Sequence, residues 1–167
     1  MNRVSVAIGC AFLFGSSASN AQQHEKCAGL QVGTWRLQSY TTEDLATRQK
    51  TDLLGTHPSG FLTYSADCRM SAILIKDSRK APAAPVATDA ESIELYRGLI
   101  AYAGIYEIDG DKVLHHVEAS WNQAWTGTTQ VRELKIEGAF LYIRTMPAKS
   151  ALSGRQISSV LVWTRVQ

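Results

Sequence analysis

The sequence carries little excess charge of either sign. Its 17 Lys and Arg residues are almost balanced by 15 Asp and Glu residues, which leaves a formal net charge of +2 at pH 7. Nucleic acids and anionic membrane surfaces are recognised by clustered basic residues, so this balance argues against either as the main partner. Beyond the N-terminus, no apolar segment approaches the length that spans a bilayer. The chain has no internal repeat and no domain linker, which favours a single domain.

Motifs for several catalytic chemistries are also missing. The chain has no Gly-x-Ser-x-Gly nucleophile elbow, no Gly-rich phosphate loop and no dinucleotide-binding fingerprint. His115 and His116 are neighbours on a predicted strand, so their side chains point to opposite faces and cannot bind the same metal ion. His24 and His57 lie in predicted irregular segments. We therefore expect no dedicated metal site and no cofactor.

The N-terminus has the pattern of a secretory signal peptide. Arg3 supplies a positive charge, residues 4–15 form an uncharged, mostly apolar run too short to span a bilayer, and Ser19-Asn20-Ala21 resembles a cleavage site. A protein processed after Ala21 is periplasmic or secreted. The predicted parts of the chain are a signal peptide over 1–21, an N-terminal arm over 22–31 and one domain over 32–167.

Two cysteines, Cys27 and Cys68, remain after the predicted cleavage. An exported chain is normally in an oxidising compartment, where disulfides form and persist. We therefore expect a disulfide between them that ties the N-terminal arm to an early hairpin. Two unpaired thiols are the alternative.

Short segments with strand-like alternation recur along the chain, separated by turn residues. The strongest hairpin signal is Asp109-Gly110-Asp111, between predicted strands over 102–108 and 112–120. The segments predict about eight strands, mostly joined to their sequence neighbours, as in small up-and-down barrels. Closure of this meander into an up-and-down antiparallel barrel removes its exposed edges, so we predict an all-β, barrel-forming domain.

One helix interrupts the strands. Thr88 and Glu91 form a capping-box pattern, and Ile93, Tyr96 and Ile100 follow at helical spacing. The pattern predicts a single mid-chain α-helix over roughly residues 89–99.

Two short motifs near the ends of the predicted domain resemble the closing pair of lipocalin-type barrels. Gly33-Thr34-Trp35 opens the first predicted strand, and the last predicted strand carries Arg165. In that family the Trp seals the narrow end of the barrel and the Arg packs over its indole. The resemblance implies these structural roles for Trp35 and Arg165, and it implies a lipocalin-like barrel that encloses one small cavity.

The order of further motifs is similar to that of the lipocalin-like domain family of bacteria and fungi. Its members show Pro-x-Gly-x-Leu-x-Tyr, a helix before Tyr-x-Gly-x-Tyr, then His-His-Val-Glu and a closing Val-Trp-x-Arg. The corresponding segments here begin at Pro58, Tyr102, His115 and Val162. The mid-chain helix distinguishes this layout from the secreted lipocalins of animals, whose helix follows the last strand.

The two-residue period of strands predicts which side chains point into the barrel. If Asp109 and Gly110 form the hairpin loop, His115 pairs with Gly104, which leaves room beside the imidazole. The same period turns Arg132 inward. An apolar wall with a few convergent polar groups is the usual composition of a small-molecule site, but a satisfied internal network is the alternative. The predicted wall combines aliphatic residues with Tyr102, Tyr106, His115, Trp121 and Arg132.

Trp121 and Trp125 lie in a predicted loop at one end of the barrel. They either guard the entrance and stack on a ligand, or fill the barrel as part of its core.

These patterns predict an exported barrel that binds a small, largely apolar molecule. His115 and Arg132 would hold its polar end, and Tyr102, Tyr106, Trp121 and Trp125 would supply contact area. The alternative class is an isomerase or cyclase acting on a polyketide-like substrate, with His115 as the acid–base group and Arg132 or a Tyr beside the developing oxyanion. A third class is a structural or interaction module whose barrel is filled.

Overall fold

The computed structural model describes residues 27–149 and 154–166, so the predicted signal peptide lies outside the described residues. Within these ranges, the helix α1 covers Asp89–Arg97 and the short 3-10 helix η1 covers Gln123–Trp125. The strands are β1 (Gly33–Asp44), β2 (Lys50–Asp52), β3 (Ser59–Tyr64), β4 (Arg69–Ile75), β5 (Leu99–Asp109), β6 (Lys112–Ser120), β7 (Thr129–Glu137), β8 (Phe140–Thr145), β9 (Ala148–Lys149) and β10 (Gln156–Arg165).

Eight of the strands form a closed antiparallel barrel. The order runs β1-β3-β4-β5-β6-β7-β8-β10, and β10 pairs back onto β1 from Trp35↔Arg165 to Asp44↔Ile157. The short strands β2 and β9 extend the sheet beside β1 and β10 at one end. The predicted up-and-down barrel of about eight strands with a mid-chain helix is therefore confirmed.

The barrel forms because apolar residues alternate along its strands. In β4, Met70, Ala72 and Leu74 are buried while the residues between them are exposed. Each strand of this kind places one set of side chains inside the barrel and the other in solvent. The buried residues form a single core inside the barrel, with Trp35, Tyr64, Tyr106 and Trp163 as its largest members.

The register of the β5–β6 hairpin differs from the prediction. His115 pairs with Tyr106, and Gly104 pairs with Val117, because the loop residues are Gly110 and Asp111. Gly110 has a φ of 61°, a conformation that favours glycine. The predicted Gly104–His115 pair is therefore wrong by two residues. A shift of two preserves the face of every side chain, so His115 still points inward.

Gly104 has a different function from the one predicted for it. The strands β5 and β6 change register between Ala103 and Gly104, and a Cβ at Gly104 would lie 2.0 Å from the carbonyl oxygen of His116. The glycine is needed because two backbones approach closely at this bulge, and not because it leaves room beside His115.

The Gly104→Ala substitution is expected to destabilise the fold by about 1–3 kcal/mol, because one of the two strands must move to admit the methyl group. Gly138→Asn is the matched control, since Gly138 lies in open space at a φ of 58° that Asn tolerates. Urea denaturation of both variants measures the difference. Equal stability of the two would contradict the argument from close approach.

The helix α1 stands at the end of the barrel where β4 leads into β5. The capping box is present, since the Thr88 hydroxyl accepts a hydrogen bond from the Glu91 amide and the Glu91 carboxylate accepts one from the Thr88 amide. The helix ends at Arg97, slightly before the predicted end, because Leu99 already pairs with Ile75 in the sheet. None of its residues is buried. Among the described residues, no helix has both the length and the apolar character needed to cross a membrane.

The other end of the barrel is closed by the N-terminal arm. Cys27 and Cys68 form the predicted disulfide, with their Cα atoms 5.2 Å apart. Trp35 is fully buried, its indole N–H donates to the Gln31 carbonyl at 2.8 Å, and the Arg165 guanidinium lies 4.2 Å from the centre of its ring. Arg165 also donates to the backbone carbonyl of Val32 at 2.8 Å. The arm, the first strand and the last strand are thus joined at this end.

Candidate functional site

The interior of the barrel contains a small cavity in the half that faces α1 and η1. Its volume is about 30 Å³, which is room for a water molecule or a group of a few atoms. The wall is mainly apolar and carries a few polar side chains. Its residues are Tyr40, Leu62, Ala72, Leu74, Ile100, Tyr102, His115, Trp125, Arg132, Ile143, Thr145, Leu161 and Trp163.

His115 lies at the centre of a hydrogen-bond network in this wall. The side chain is 1% exposed, and its two ring nitrogens each contact a phenol. The Tyr64 hydroxyl lies 2.7 Å from Nε2, and the Tyr102 hydroxyl lies 3.1 Å from Nδ1. The strands β3, β5 and β6 supply one residue each, so the barrel itself holds the imidazole in place.

The imidazole is neutral over the physiological range of pH. Burial and, to a smaller extent, the nearby charges of Arg132 and His116 together lower the pKa of His115 to about 3. Burial also raises the pKa of Tyr102 to about 12 and the pKa of Tyr64 well above its ordinary value. The three side chains therefore form a neutral, hydrogen-bonded group.

The direction of these hydrogen bonds follows from what the phenols can reach. Tyr64 is 1% exposed, and within residues 27–149 and 154–166 its hydroxyl has no partner besides His115. Its proton is satisfied only if it donates to Nε2. A neutral imidazole then carries its own proton on Nδ1 and donates it to Tyr102. This leaves the hydroxyl proton of Tyr102 for an acceptor in the cavity.

Arg132 points inward from β7, as the strand period predicts, and it lines the cavity. Its guanidinium donates to the Val131 carbonyl at 2.9 Å and to the side-chain oxygen of Gln130 at 3.1 Å. Its positive charge reaches the interior, since it lowers the pKa of His115 and opposes the burial that raises the pKa of Tyr102.

Four aromatic rings form a cluster between the cavity and α1. Tyr102 contacts Trp125 with 5.5 Å between ring centres, Trp125 contacts Trp121 at 4.9 Å, and Trp121 contacts Tyr96 of α1 at 6.4 Å. Trp125 lines the cavity, whereas Trp121 lies outside it on the side of the helix. We call these four residues the mouth cluster.

Tyr106 lies at the closed end of the barrel. The strand period predicts it in the cavity wall, but it is not among the described residues that line the cavity. Its side chain is fully buried, and its hydroxyl donates to the carbonyls of Cys27 at 2.8 Å and Ser65 at 3.0 Å. The ring packs against Tyr64 with 4.7 Å between centres. Tyr106 thus supports the network around His115 from the side of the disulfide.

Sequence reasoning missed three aromatic side chains that carry polar groups in the interior, Tyr40, Tyr64 and Trp163. The two-residue period of strands could have identified two of them. Tyr64 shares the buried face of β3 with Leu62, and Trp163 shares the buried face of β10 with Leu161. Tyr40 required knowledge of the β1–β10 pairing, because a register shift between Leu37 and Ser39 alters the alternation along β1.

A larger crevice lies on the surface between α1 and the loop over 76–83. It has a volume of about 590 Å³ and is lined by charges of both signs, including Lys76, Asp77, Arg79 and Glu94. The polar groups there face solvent, so we take the barrel cavity as the candidate site. Among the described residues, no cluster of three or more His, Cys, Asp or Glu side chains is placed to hold a metal ion.

Comparison with known proteins gives one result. A protein family described as a lipocalin-like domain matches residues 32–166 of the chain. No curated protein and no solved structure matches it.

Proposed function

This chain belongs to the lipocalin-like domain family, and we propose that its barrel binds a small, largely apolar molecule. The observation that carries the proposal is the cavity itself. Aliphatic and aromatic residues enclose it, and a few polar side chains, among them Tyr102, His115 and Arg132, also line it. This composition is typical of small-molecule sites, where the apolar wall supplies contact area and the polar groups fix the orientation.

The residues have distinct roles in this proposal. Tyr102 and Arg132 hold the polar end of the ligand, since both line the cavity, and His115 orients the Tyr102 hydroxyl toward it. Trp125 and Trp121 contact the apolar part. Tyr106 acts indirectly, because it holds Tyr64 and thereby the imidazole in position.

The mouth cluster is also the proposed route of access. A cavity of about 30 Å³ admits only a group of a few atoms, so a larger ligand requires Trp125 to move away from Tyr102. Trp125 ends the short η1, and Trp121 and α1 beyond it are only partly buried, so these residues can move without disturbing the barrel.

The geometry favours binding over acid–base catalysis. Both nitrogens of His115 are occupied by phenols, and a pKa of about 3 makes the imidazole a weak base near neutral pH. A general base works best when its pKa lies near the working pH. We therefore prefer a ligand-binding protein to an isomerase or cyclase that uses His115 as its base.

We further propose that the protein is exported to a periplasm or out of the cell. The Cys27–Cys68 disulfide supports this, because such bonds persist mainly in oxidising compartments. The N-terminal pattern predicted as a signal peptide points in the same direction.

Filling the cavity is expected to abolish binding. Ala72 is 5% exposed and lines the cavity, so Ala72→Leu places three more carbon atoms in the space that the ligand needs. We expect the affinity for the uncharged fluorescent probe N-phenyl-1-naphthylamine to fall at least about tenfold. Fluorescence titration measures it, and Ala119→Leu, on the exposed side of β6, is the control.

Two outcomes would count against the proposal. Equal affinity of the wild type and Ala72→Leu would place the probe outside the barrel. A folded wild type that binds no probe would indicate a filled barrel with a structural or interaction role, and native mass spectrometry of the protein from its own host would then test for a tightly held occupant.

A further inference from the structure

We propose that the polar part of the cavity is a carboxylate site, so that the barrel binds an apolar monocarboxylic acid as its anion. This inference rests on the proposed function, because it names the class of molecule that the same cavity takes. Three observations on residues 27–149 and 154–166 carry it: an indole donor without a partner there, an arginine without an acidic partner there, and a cavity wall to which they contribute no carboxylate.

The first observation concerns Trp163. Its side chain is 2% exposed and lines the cavity, yet among the described residues its indole N–H has no hydrogen-bond partner. A buried donor without an acceptor is unfavourable, and native structures contain few of them. The indole nitrogen can only donate, so whatever satisfies it must bring an acceptor atom into the cavity.

The second observation concerns Arg132. A guanidinium has five N–H donors. Among the described residues, those of Arg132 reach only the Val131 carbonyl and the Gln130 side chain, both on its own strand. In the part of the chain that the structure describes, every ion pair of an Asp or Glu is made with another cation; Glu133, next in sequence, pairs with Arg144 on the outer surface. A partly buried charge without a counterion is unfavourable, and a bound anion supplies the counterion.

The third observation is the composition of the wall. None of the described residues that line the cavity is Asp or Glu. The central imidazole is neutral, and the hydrogen-bond order around it leaves the Tyr102 hydroxyl proton free for an acceptor. The cavity therefore presents donors from Arg132, Trp163 and Tyr102, and a positive charge without a negative one.

The size of the cavity and its surroundings select the kind of anion. About 30 Å³ suits a planar carboxylate of two oxygens better than a bulkier, doubly charged phosphate. Carboxylates also match the fork of a guanidinium. Leu74, Ile100, Leu161 and Trp125 surround the polar groups, so the rest of the ligand is apolar and extends toward the mouth cluster.

A matched pair of probes tests this inference. Decanoate and decan-1-ol have the same chain and differ in the charge of the head group. Near neutral pH, we expect the wild type to bind decanoate about tenfold to a hundredfold more tightly than decan-1-ol, which is the range for hydrogen bonds to a charged group. Displacement of N-phenyl-1-naphthylamine measures both affinities in one assay.

Variants then assign the preference to the two donors. Arg132→Met keeps an unbranched apolar side chain and removes the charged guanidinium, and we expect it to abolish the preference while decan-1-ol still binds. Trp163→Phe keeps a smaller aromatic ring without the N–H, and we expect a severalfold loss for decanoate and little change for decan-1-ol. Arg144→Met is the control, because Arg144 faces solvent on the neighbouring strand β8. If Arg132→Met does not fold, Arg132→Lys takes its place with a reduced preference expected.

The outcomes separate this inference from the proposed function. Equal binding of decanoate and decan-1-ol by the wild type overturns the carboxylate site and leaves apolar binding intact, with water as the partner of Trp163. A preference for decanoate that survives in the Arg132 and Trp163 variants also overturns it, since another group must hold the anion. Binding of neither probe, together with no binding of N-phenyl-1-naphthylamine, contradicts the proposed function itself.

Discussion

Acidification from about pH 7 to about pH 4 is expected to lower the free energy of unfolding by about 3 kcal/mol through His115 alone. The pKa of this residue is about 3 in the folded chain and returns to its ordinary value of 6.5 when the chain unfolds. Between these two values the unfolded state binds a proton that the folded state refuses. Stability therefore falls as the pH drops through 6.5, and the loss is complete only near the folded pKa.

The measurement is urea denaturation at a series of pH values, for the wild type and for His115→Gln. Gln keeps a donor and an acceptor but does not titrate, so the variant should lose less stability in acid than the wild type by about the same 3 kcal/mol. Carboxylates also contribute to acid denaturation. Backbone hydrogen bonds from Thr47 and Ala83 lower the pKa values of Asp44 and Glu91, and the stability that these groups add is lost at low pH in both proteins.

His116→Gln serves as the control because His116 is the next residue on the same strand and its side chain faces outward, where Nδ1 contacts the Thr129 hydroxyl at 2.9 Å. If the wild type and His115→Gln lose stability in parallel as the pH falls, the imidazole takes up its proton within the folded barrel. The neutral network of Tyr64, His115 and Tyr102 would then be an incorrect description.

The barrel could be predicted because the sequence patterns that indicate it each involve residues close together in the chain. Alternation of apolar residues, glycines in turns and the capping box at Thr88 each depend on a few neighbours in sequence. The register of the β5–β6 hairpin could not be predicted in the same way. Loops at Asp109-Gly110 and Gly110-Asp111 give the same side-chain faces, so the hydrophobic pattern does not distinguish between them.

The sequence predicts which side chains of the candidate site point into the barrel, but not how far along the barrel each of them lies. The strand period places His115 and Arg132 inside the barrel, and the structure agrees. The same period also places Tyr106 inside, yet its depth depends on the N-terminal arm, which brings the Cys27 carbonyl to its hydroxyl. The N–H of Trp163, which has no partner in the described part of the chain, could not be predicted from any sequence pattern, because it depends on which groups from other strands reach it.

Trp35→Ala is expected to destabilise the protein by about 3–5 kcal/mol, the range for large aromatic residues in a core. The indole is fully buried at the closed end, where it joins β1 to the N-terminal arm through its hydrogen bond to Gln31 and lies under Arg165 of the last strand. Its loss removes packing from every element that meets there. Thermal denaturation measures the effect, and Phe140→Ala, at a half-exposed ring on the outer surface, is the control.

A double-mutant cycle measures the interaction energy between Trp35 and Arg165 separately from what each residue contributes alone. Arg165 contacts the Trp35 ring and also donates to the carbonyls of Leu30 in the arm and of Val32, so Arg165→Met removes a cation–π contact and a link to the arm together. In the Trp35→Ala background only the link remains to be lost. We expect the two substitutions to be non-additive by about 0.5–1 kcal/mol, the size of an exposed cation–π contact. Simple additivity would mean that Arg165 acts through the arm alone. Trp35 would then close the barrel by packing, with no contribution from the positive charge above it.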